Sequence, residues 1–235
     1  MGGPERRLPG PARTGPLPAA DVRGGIGPCE ASGGERVRLG IFGGTFDPIH
    51  LGHLAIAEEA RVRLGLDCVV FVPTGVSPHK AGEGVTAAAD RLEMVRRATA
   101  GNPGFAVDDL ETRRTGPSHT VDTLAAFTVR YPQADLLYLL GSDSLVELDT
   151  WHDPPRLFGL ATFVALIRPG WPAERIAAWL AGHAPENRPR VLTLRVPGLE
   201  IASRDLRRRV GAGESVRYLV PDAVREWIAQ RGLYA

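Results

Sequence analysis

Cysteine is nearly missing from this chain. Its 235 residues hold two, Cys29 and Cys68, too few for a disulfide framework or a cysteine zinc site. Lysine is scarcer still. The 28 basic residues include one lysine, Lys80, and the rest are arginine. Codon bias accounts for most of that skew, but it leaves the question of why one lysine stands beside His79. An excess of either charge is also absent. Basic and acidic residues nearly balance at a net charge of +1, and no charge block exceeds Arg207–Arg209, which argues against a broadly basic nucleic-acid surface or an acidic tail. The longest apolar stretch, Leu157 to Ile167, is far short of the roughly 20 residues that span a bilayer, and it reads as a buried strand with its approach. The beginning of the chain lacks the apolar core of about 7–15 residues that marks a signal peptide. These absences lead us to expect a cytoplasmic protein in a reducing compartment, with no membrane and no nucleic-acid partner.

What is present is a globular composition, 43% hydrophobic and 23% charged. Residues 1–35 are rich in Gly, Pro, Ala and Arg without apolar periodicity. Such a segment buries too little to offset its ordering entropy, so it is expected to be a disordered extension, dispensable for activity. From residue 36 the pattern changes. Apolar runs at Val37–Phe42, Cys68–Val72, Phe105–Val107, Leu136–Leu140, Ala161–Ile167 and Arg190–Val196 read as strands. Between and after them, helical spacing covers Leu51–Leu64, Ala87–Ala100, Thr120–Arg130, Pro172–Leu180, Ser203–Val210 and Pro221–Arg231. This alternation predicts one α/β domain over 36–235, with a mainly parallel sheet and helices on both faces. Right-handed crossovers then gather the loops after the strands along one edge.

The strongest chemical signal lies at the first strand–helix junction: Gly43-Gly44-Thr45-Phe46-Asp47-Pro48-Ile49-His50-Leu51-Gly52-His53. Glycines after a strand let backbone approach a ligand closely. The helix start beyond them points unpaired N–H groups and a positive dipole end at an anion. The pattern is neither a P-loop nor Gly-x-Gly-x-x-Gly. His50 and His53, three apart, fall on one helix face and can donate to phosphate oxygens without permanent charge. A zinc pair would favour a spacing of four with an intervening Glu. A second, weaker signal is Ile201-Ala202-Ser203-Arg204-Asp205-Leu206-Arg207. Here Ser203 reads as an N-cap, and Arg204 and Arg207 are spaced to share a face. His183 reads as a solvated side chain.

The first segment resembles the Gly-Gly-Thr-Phe-Asp-Pro and His-x-Gly-His signature of the nucleotidyltransferase superfamily, and the second resembles its Ile-Ser-Ser-Thr-x-x-Arg segment. Further segments follow in order: Ser77-Pro78-His79-Lys80, Gly116-Pro117-Ser118-His119-Thr120-Val121-Asp122-Thr123-Leu124, Gly141-Ser142-Asp143-Ser144, Thr150-Trp151, Arg168-Pro169-Gly170 and Gly232-Leu233-Tyr234. Together they make the chain from about Arg38 to Tyr234 similar to bacterial nicotinate-nucleotide adenylyltransferases. That resemblance implies a Rossmann-like nucleotidyltransferase fold with a small helical portion at about 203–235. It implies ATP and nicotinate mononucleotide as substrates, with Mg²⁺ held mainly by phosphates and water rather than by protein ligands. It implies a catalytic set of His50, His53 and Arg207. On the ATP side it adds Gly43, Gly44, Thr45, Phe46, Asp143 and Ser203. On the mononucleotide side it implies Thr45, Thr74, His79, Lys80, Thr120, Trp151 and Arg168, with Trp151 stacking on the pyridine ring and the Thr120 backbone N–H meeting its carboxylate. The family's Ser-Ser-Thr appears here as Ala202-Ser203-Arg204, which loses two hydroxyls and gains a cation. Three alternatives stay open: a related enzyme preferring nicotinamide mononucleotide, one using another phosphate acceptor, and a nucleotide-binding protein without catalysis. The sequence leaves the oligomeric state open.

Overall fold

Each of the six apolar runs forms a strand in the computed structural model, which describes residues 36–76, 84–183 and 190–235. The strands are β1 (Arg38–Gly44), β2 (Cys68–Pro73), β3 (Phe105–Val107), β4 (Asp135–Gly141), β5 (Thr162–Ile167) and β6 (Val191–Arg195). They make one sheet in the order β3-β2-β1-β4-β5-β6, and every pairing is parallel.

The period of two along these strands divides the interior into two cores. Leu39, Ile41, Val70, Val72, Tyr138, Leu140, Phe163 and Ala165 face one side. Phe42, Val69, Phe71, Leu137, Leu139, Val164 and Leu166 face the other. A strand buried on both faces has no polar side, which is why β2 is apolar at every position. Helices cover both surfaces. The second core is closed by α1 (Leu51–Leu64), α2 (Ala88–Thr99), α8 (Ser203–Gly211) and α9 (Asp222–Arg231), through Ala57, Ala60, Met94, Val95, Leu206, Val224 and Ile228. The first is closed by α4 (Thr120–Arg130), α5 (Ser142–Val146), α6 (Pro154–Leu160) and α7 (Ala173–Gly182), through Val121, Leu124, Phe127, Leu145, Leu157, Phe158 and Ile176. This is the α/β, Rossmann-like arrangement expected. Both α8 and α9 add buried side chains to the second core, and α9 packs against α2.

Three short helices escape the periodicity: α3 (Leu110–Arg113), α5 and α6. At four to seven residues they complete two turns at most, too few to show a period. The apolar run from Leu157 is divided accordingly. Leu157–Leu160 closes α6, and the strand starts only at Thr162. Among the described residues no helix is long and apolar enough to cross a membrane. The segment 1–35, expected to be a disordered extension, lies outside the described residues.

Candidate active site

The strand order reverses between β1 and β4, whose neighbours run outward in opposite directions. In a parallel sheet that reversal opens a crevice at the carboxyl ends of the strands. Registers Gly44↔Pro73, Phe42↔Leu139 and Leu166↔Gly141 bring the ends of β1, β2, β4 and β5 to one edge. Nearly every candidate residue in the described part of the chain follows one of those ends or opens the helix beyond it.

The histidine pair is built on the start of α1. His50 occupies its N-cap position and His53 its first turn. Their rings stack with centroids 3.7 Å apart and 26° between planes. Gly52 makes room for this: a Cβ there would come within 3.0 Å of His50 Nδ1. The Phe46 and Phe42 rings meet His53 edge-on, at 5.2 and 6.2 Å. His53 Nδ1 accepts the His50 backbone N–H at 3.3 Å, so a neutral His53 carries its proton on Nε2 and has a donor to offer. Burial, followed by the charge of Arg168, pushes His50 down to about 4. Burial, then His50 and Arg168, holds His53 well below the usual imidazole range. Near neutral pH both rings are uncharged donors. His50 Nδ1 is buried without a partner.

The loop from Gly43 to Ile49 is held from several sides. A Cβ at Gly43 would fall 2.5 Å from Tyr138 Oη, so only glycine lets the phenol lie against this backbone. Phe46 has a left-handed backbone (φ 49°) and sinks its ring, 3% exposed, into the core. It therefore presents backbone rather than side chain to the crevice. Asp47 precedes a cis Pro48 and is 4% exposed. Its Oδ1 accepts the Tyr234 hydroxyl at 2.6 Å, and its Oδ2 accepts the Thr86 N–H at 3.2 Å. Arg207 Nη1 donates to the Asp47 carbonyl at 2.7 Å and lies 3.9 Å from Oδ2. Ser203 is not the N-cap expected. Ala202 takes that position, and the Ser203 hydroxyl donates to the Pro48 carbonyl at 2.9 Å. This bond crosses 155 residues of sequence, which no local capping pattern can show.

Arg91 went unnoticed in the sequence. It is 2% exposed, and its guanidinium donates to the carbonyls of Thr45 (2.7 Å), Thr74 (2.6 Å), Gly75 (3.0 Å) and Thr86 (2.9 Å). One side chain thus ties the loops after β1 and β2 to the start of α2. Nothing in its local sequence separates it from Arg96 and Arg97, which are only partly buried. Thr45 and Thr74, both expected to touch the mononucleotide, have their carbonyls committed to it.

At the other end of the crevice Thr120 opens α4, with His119 as its N-cap. Its Oγ1 is 3.5 Å from Tyr138 Oη. Glu111 of α3 steadies the same turn by accepting the Thr123 hydroxyl at 2.7 Å, and burial raises its carboxyl above the ordinary range. Trp151 follows a single 3-10 turn, Leu148–Thr150. It is half-buried and meets Tyr138 edge-on at 6.0 Å. His119 and His152 stack beside it at 4.4 Å. Asp143 is exposed in the first turn of α5, and Arg168 is exposed just past β5. Arg168 is near enough to both catalytic candidates for its charge to disfavour their protonation. His79 and Lys80 lie outside the described residues. His183 is not solvated as expected: it stacks on Trp179 at 3.7 Å and reaches Asp149 at 2.7 Å.

Among the described residues no cluster of three or more His, Cys, Asp or Glu is placed to hold a metal ion. The groups around the phosphate end are imidazoles, guanidiniums and backbone N–H, a set suited to anions.

Residues 41–209 match the family model described as cytidylyltransferase-like. The chain is 47% identical over 197 residues to a probable nicotinate-nucleotide adenylyltransferase of Thermomicrobium roseum, covering 84% of this chain and 91% of that protein. It is 45% identical over 197 residues to the protein of the same name from Desulfitobacterium hafniense (strain DSM 10664 / DCB-2), covering 84% and 95%. Its fold is similar to that of the Plasmodium falciparum nicotinic acid mononucleotide adenylyltransferase complexed with NaAD, at a TM-score of 0.69 and 17% identity over 85% of this chain and 98% of that one. By the match to that family model and the identity to these relatives, the chain belongs to the cytidylyltransferase-like family, and within it to the nicotinate-nucleotide adenylyltransferases.

Proposed function

We propose that this protein transfers adenylate from ATP to nicotinate mononucleotide, forming nicotinic acid adenine dinucleotide and pyrophosphate on the route to NAD. The observation that carries the reading is the stacked, uncharged His50–His53 pair at the start of α1, with Arg207 held against the same loop. A phosphate oxygen of the mononucleotide attacks the α-phosphorus of ATP in line. The bond from that phosphorus to the bridging oxygen breaks, and pyrophosphate leaves with its electron pair. The nucleophile is already an anion at neutral pH, so no side-chain base is required. The protein's work is positioning and stabilisation of charge on the phosphoryl oxygens.

His53 Nε2–H and His50 donate to the ATP phosphates, with His53 nearest the reacting group. Arg207 and the N-terminus of α8 hold the remainder, and Gly43, Gly44 and Thr45 let backbone approach the phosphates closely. Asp143 meets the adenosine ribose. On the acceptor side Thr45, Thr74, His79 and Lys80 grip the mononucleotide phosphate, and Arg168 adds a cation to the same edge. The N–H groups opening α4 at Thr120 favour a carboxylate over a neutral amide, and Trp151 offers its face to the pyridine ring. Magnesium, arriving on ATP, suits a site whose buried carboxylate, Asp47, already has two donors. It would supply neutralisation of phosphate charge, with no protein cluster among the described residues to hold it. The protein is expected to work in the cytoplasm.

The test is pyrophosphate release by the full chain with Mg-ATP, with nicotinate and nicotinamide mononucleotide run in parallel and products identified by mass. Faster turnover of the acid is expected. Equal or faster turnover of the amide would keep the chemistry and remove the role given to Thr120. No product from either would overturn the proposed function.

A further inference from the structure

We propose that Tyr234 is a positioning residue for ATP: by occupying the Asp47 carboxylate, it keeps Arg207 available to the triphosphate. The inference rests on the adenylyltransferase reading and adds a residue that makes no claim to touch substrate.

The geometry poses a problem that Tyr234 solves. Asp47 and Arg207 are an acid and a base 3.9 Å apart at their nearest charged atoms, Oδ2 and Nη1. An unsatisfied, nearly buried carboxylate at that distance would draw the guanidinium into a full, two-pronged ion pair. The structure shows something else. Arg207 spends one N–H on the Asp47 backbone carbonyl, and both carboxylate oxygens take neutral donors, the Tyr234 hydroxyl and the Thr86 N–H. The guanidinium is thereby anchored at one corner, and among the described residues its remaining N–H groups are left for a ligand.

Holding Tyr234 there has a cost. Its backbone is left-handed at φ 67°, a conformation that disfavours a bulky side chain. Two anchors offset it. The ring packs against the core, where Val224 and Ile228 of α9 are buried. The helix before it is fixed to α2, where Arg231 reaches Asp90 at 3.1 Å and Trp227 lies beneath the guanidiniums of Arg97 and Arg231. Burial and the bond to Asp47 raise the phenol above its ordinary value, so it remains a donor at every physiological pH.

The experiment is calorimetric titration of the full chain with a non-hydrolysable ATP analogue, without any acceptor, alongside thermal unfolding. Tyr234→Phe keeps the ring and removes the donor. We expect analogue affinity to fall about tenfold, the effect of one hydrogen bond to a charged group. In that background Asp47→Asn removes the charge that captures Arg207, and it should restore affinity to within about twofold of wild type. Unchanged affinity in Tyr234→Phe, with or without a lower melting temperature, would overturn the positioning role and leave the functional reading standing. Failure of the second substitution to rescue would overturn it also, by showing that capture of Arg207 is not the cause. A wild-type chain that binds no ATP analogue would overturn both.

Discussion

The two ends of the crevice are built differently. At the His50–Arg207 end, backbone carbonyls and one carboxylate are fixed by charged or polar side chains reaching across the fold: Arg91 on four carbonyls, Arg207 on Asp47, Ser203 on Pro48 and Tyr234 on the Asp47 carboxylate, all between 2.6 and 3.0 Å. At the Thr120–Trp151 end the rings of Trp151, His119 and His152 make edge and face contacts at 4.4 to 6.0 Å and Thr120 a long hydroxyl pair at 3.5 Å, while one short bond, Thr123 to Glu111 at 2.7 Å, steadies the helix turn. The difference matches what the proposed function asks each end to recognise, phosphates at the first and a pyridine ring at the second. Stabilising charge that moves during a reaction needs donors fixed beforehand, since reorganising them costs the energy they are meant to supply. Holding a flat ring needs area and shape, and half-buried aromatics provide both with few rigid bonds.

Removing a donor from the rigid end is the largest way to test that contrast. His53→Ala is expected to lower kcat by about 10²- to 10³-fold, the range for losing one preorganised donor to a reacting oxyanion. The KM for nicotinate mononucleotide should stay within a few fold, because His53 stands at the other end. Steady-state kinetics with each substrate varied separately checks this. A kcat near wild type would remove His53 from the chemistry, and a large rise in mononucleotide KM would erase the division between the two ends.

The burial that keeps the pair neutral has a consequence for stability. His50 is depressed from the ordinary 6.5 to about 4, first by burial and then by Arg168. Between those values the unfolded chain binds a proton that the native state does not, so stability rises with pH across the window. It is lost as pH falls from about 6.5 toward about 4. The loss assigned to His50 is on the order of 3 kcal/mol. Urea unfolding at a series of pH values should show a steeper acid decline in wild type than in His50→Asn, and parallel curves would mean that His50 protonates freely in the native state.

These same residues show where sequence reading succeeds and where it stops. The strands were legible because a doubly buried β-strand must be apolar throughout, and Cys68–Pro73 could hardly be anything else. The positions of His50 and His53 were legible because strand, glycines and helix start are contiguous. Arg91, Tyr234 and the true partner of Ser203 were not, because each side chain donates to a group, backbone carbonyl or Asp47 carboxylate, that lies 5 to 187 positions away. No local period or cap encodes such a contact. Asp47 belongs to the Gly-Gly-Thr-Phe-Asp-Pro segment, but its place as the shared acceptor of Tyr234 and Thr86 emerges only when α9 is packed. Short helices such as α5 and α6 failed for the converse reason, having too few turns to carry a period.

The smallest expected effect is at the aromatic end. Trp151→Ala removes a face but no charge and no fixed donor, and Trp151 is only half-buried, so the fold should survive. Loss of one ring stack is worth about 1–3 kcal/mol, and the softer arrangement here places the expectation low in that range, at about a tenfold rise in the KM for nicotinate mononucleotide. Turnover at saturating acceptor should change by no more than a few fold, since the phosphate end is untouched. Initial rates with the mononucleotide varied at fixed Mg-ATP give both numbers. An unchanged KM would mean that Trp151 serves the core with Tyr138 rather than the ligand. A fall in kcat as large as that of His53→Ala would mean that the aromatic end also sets the reacting geometry, and that the two ends work as one rigid unit after all.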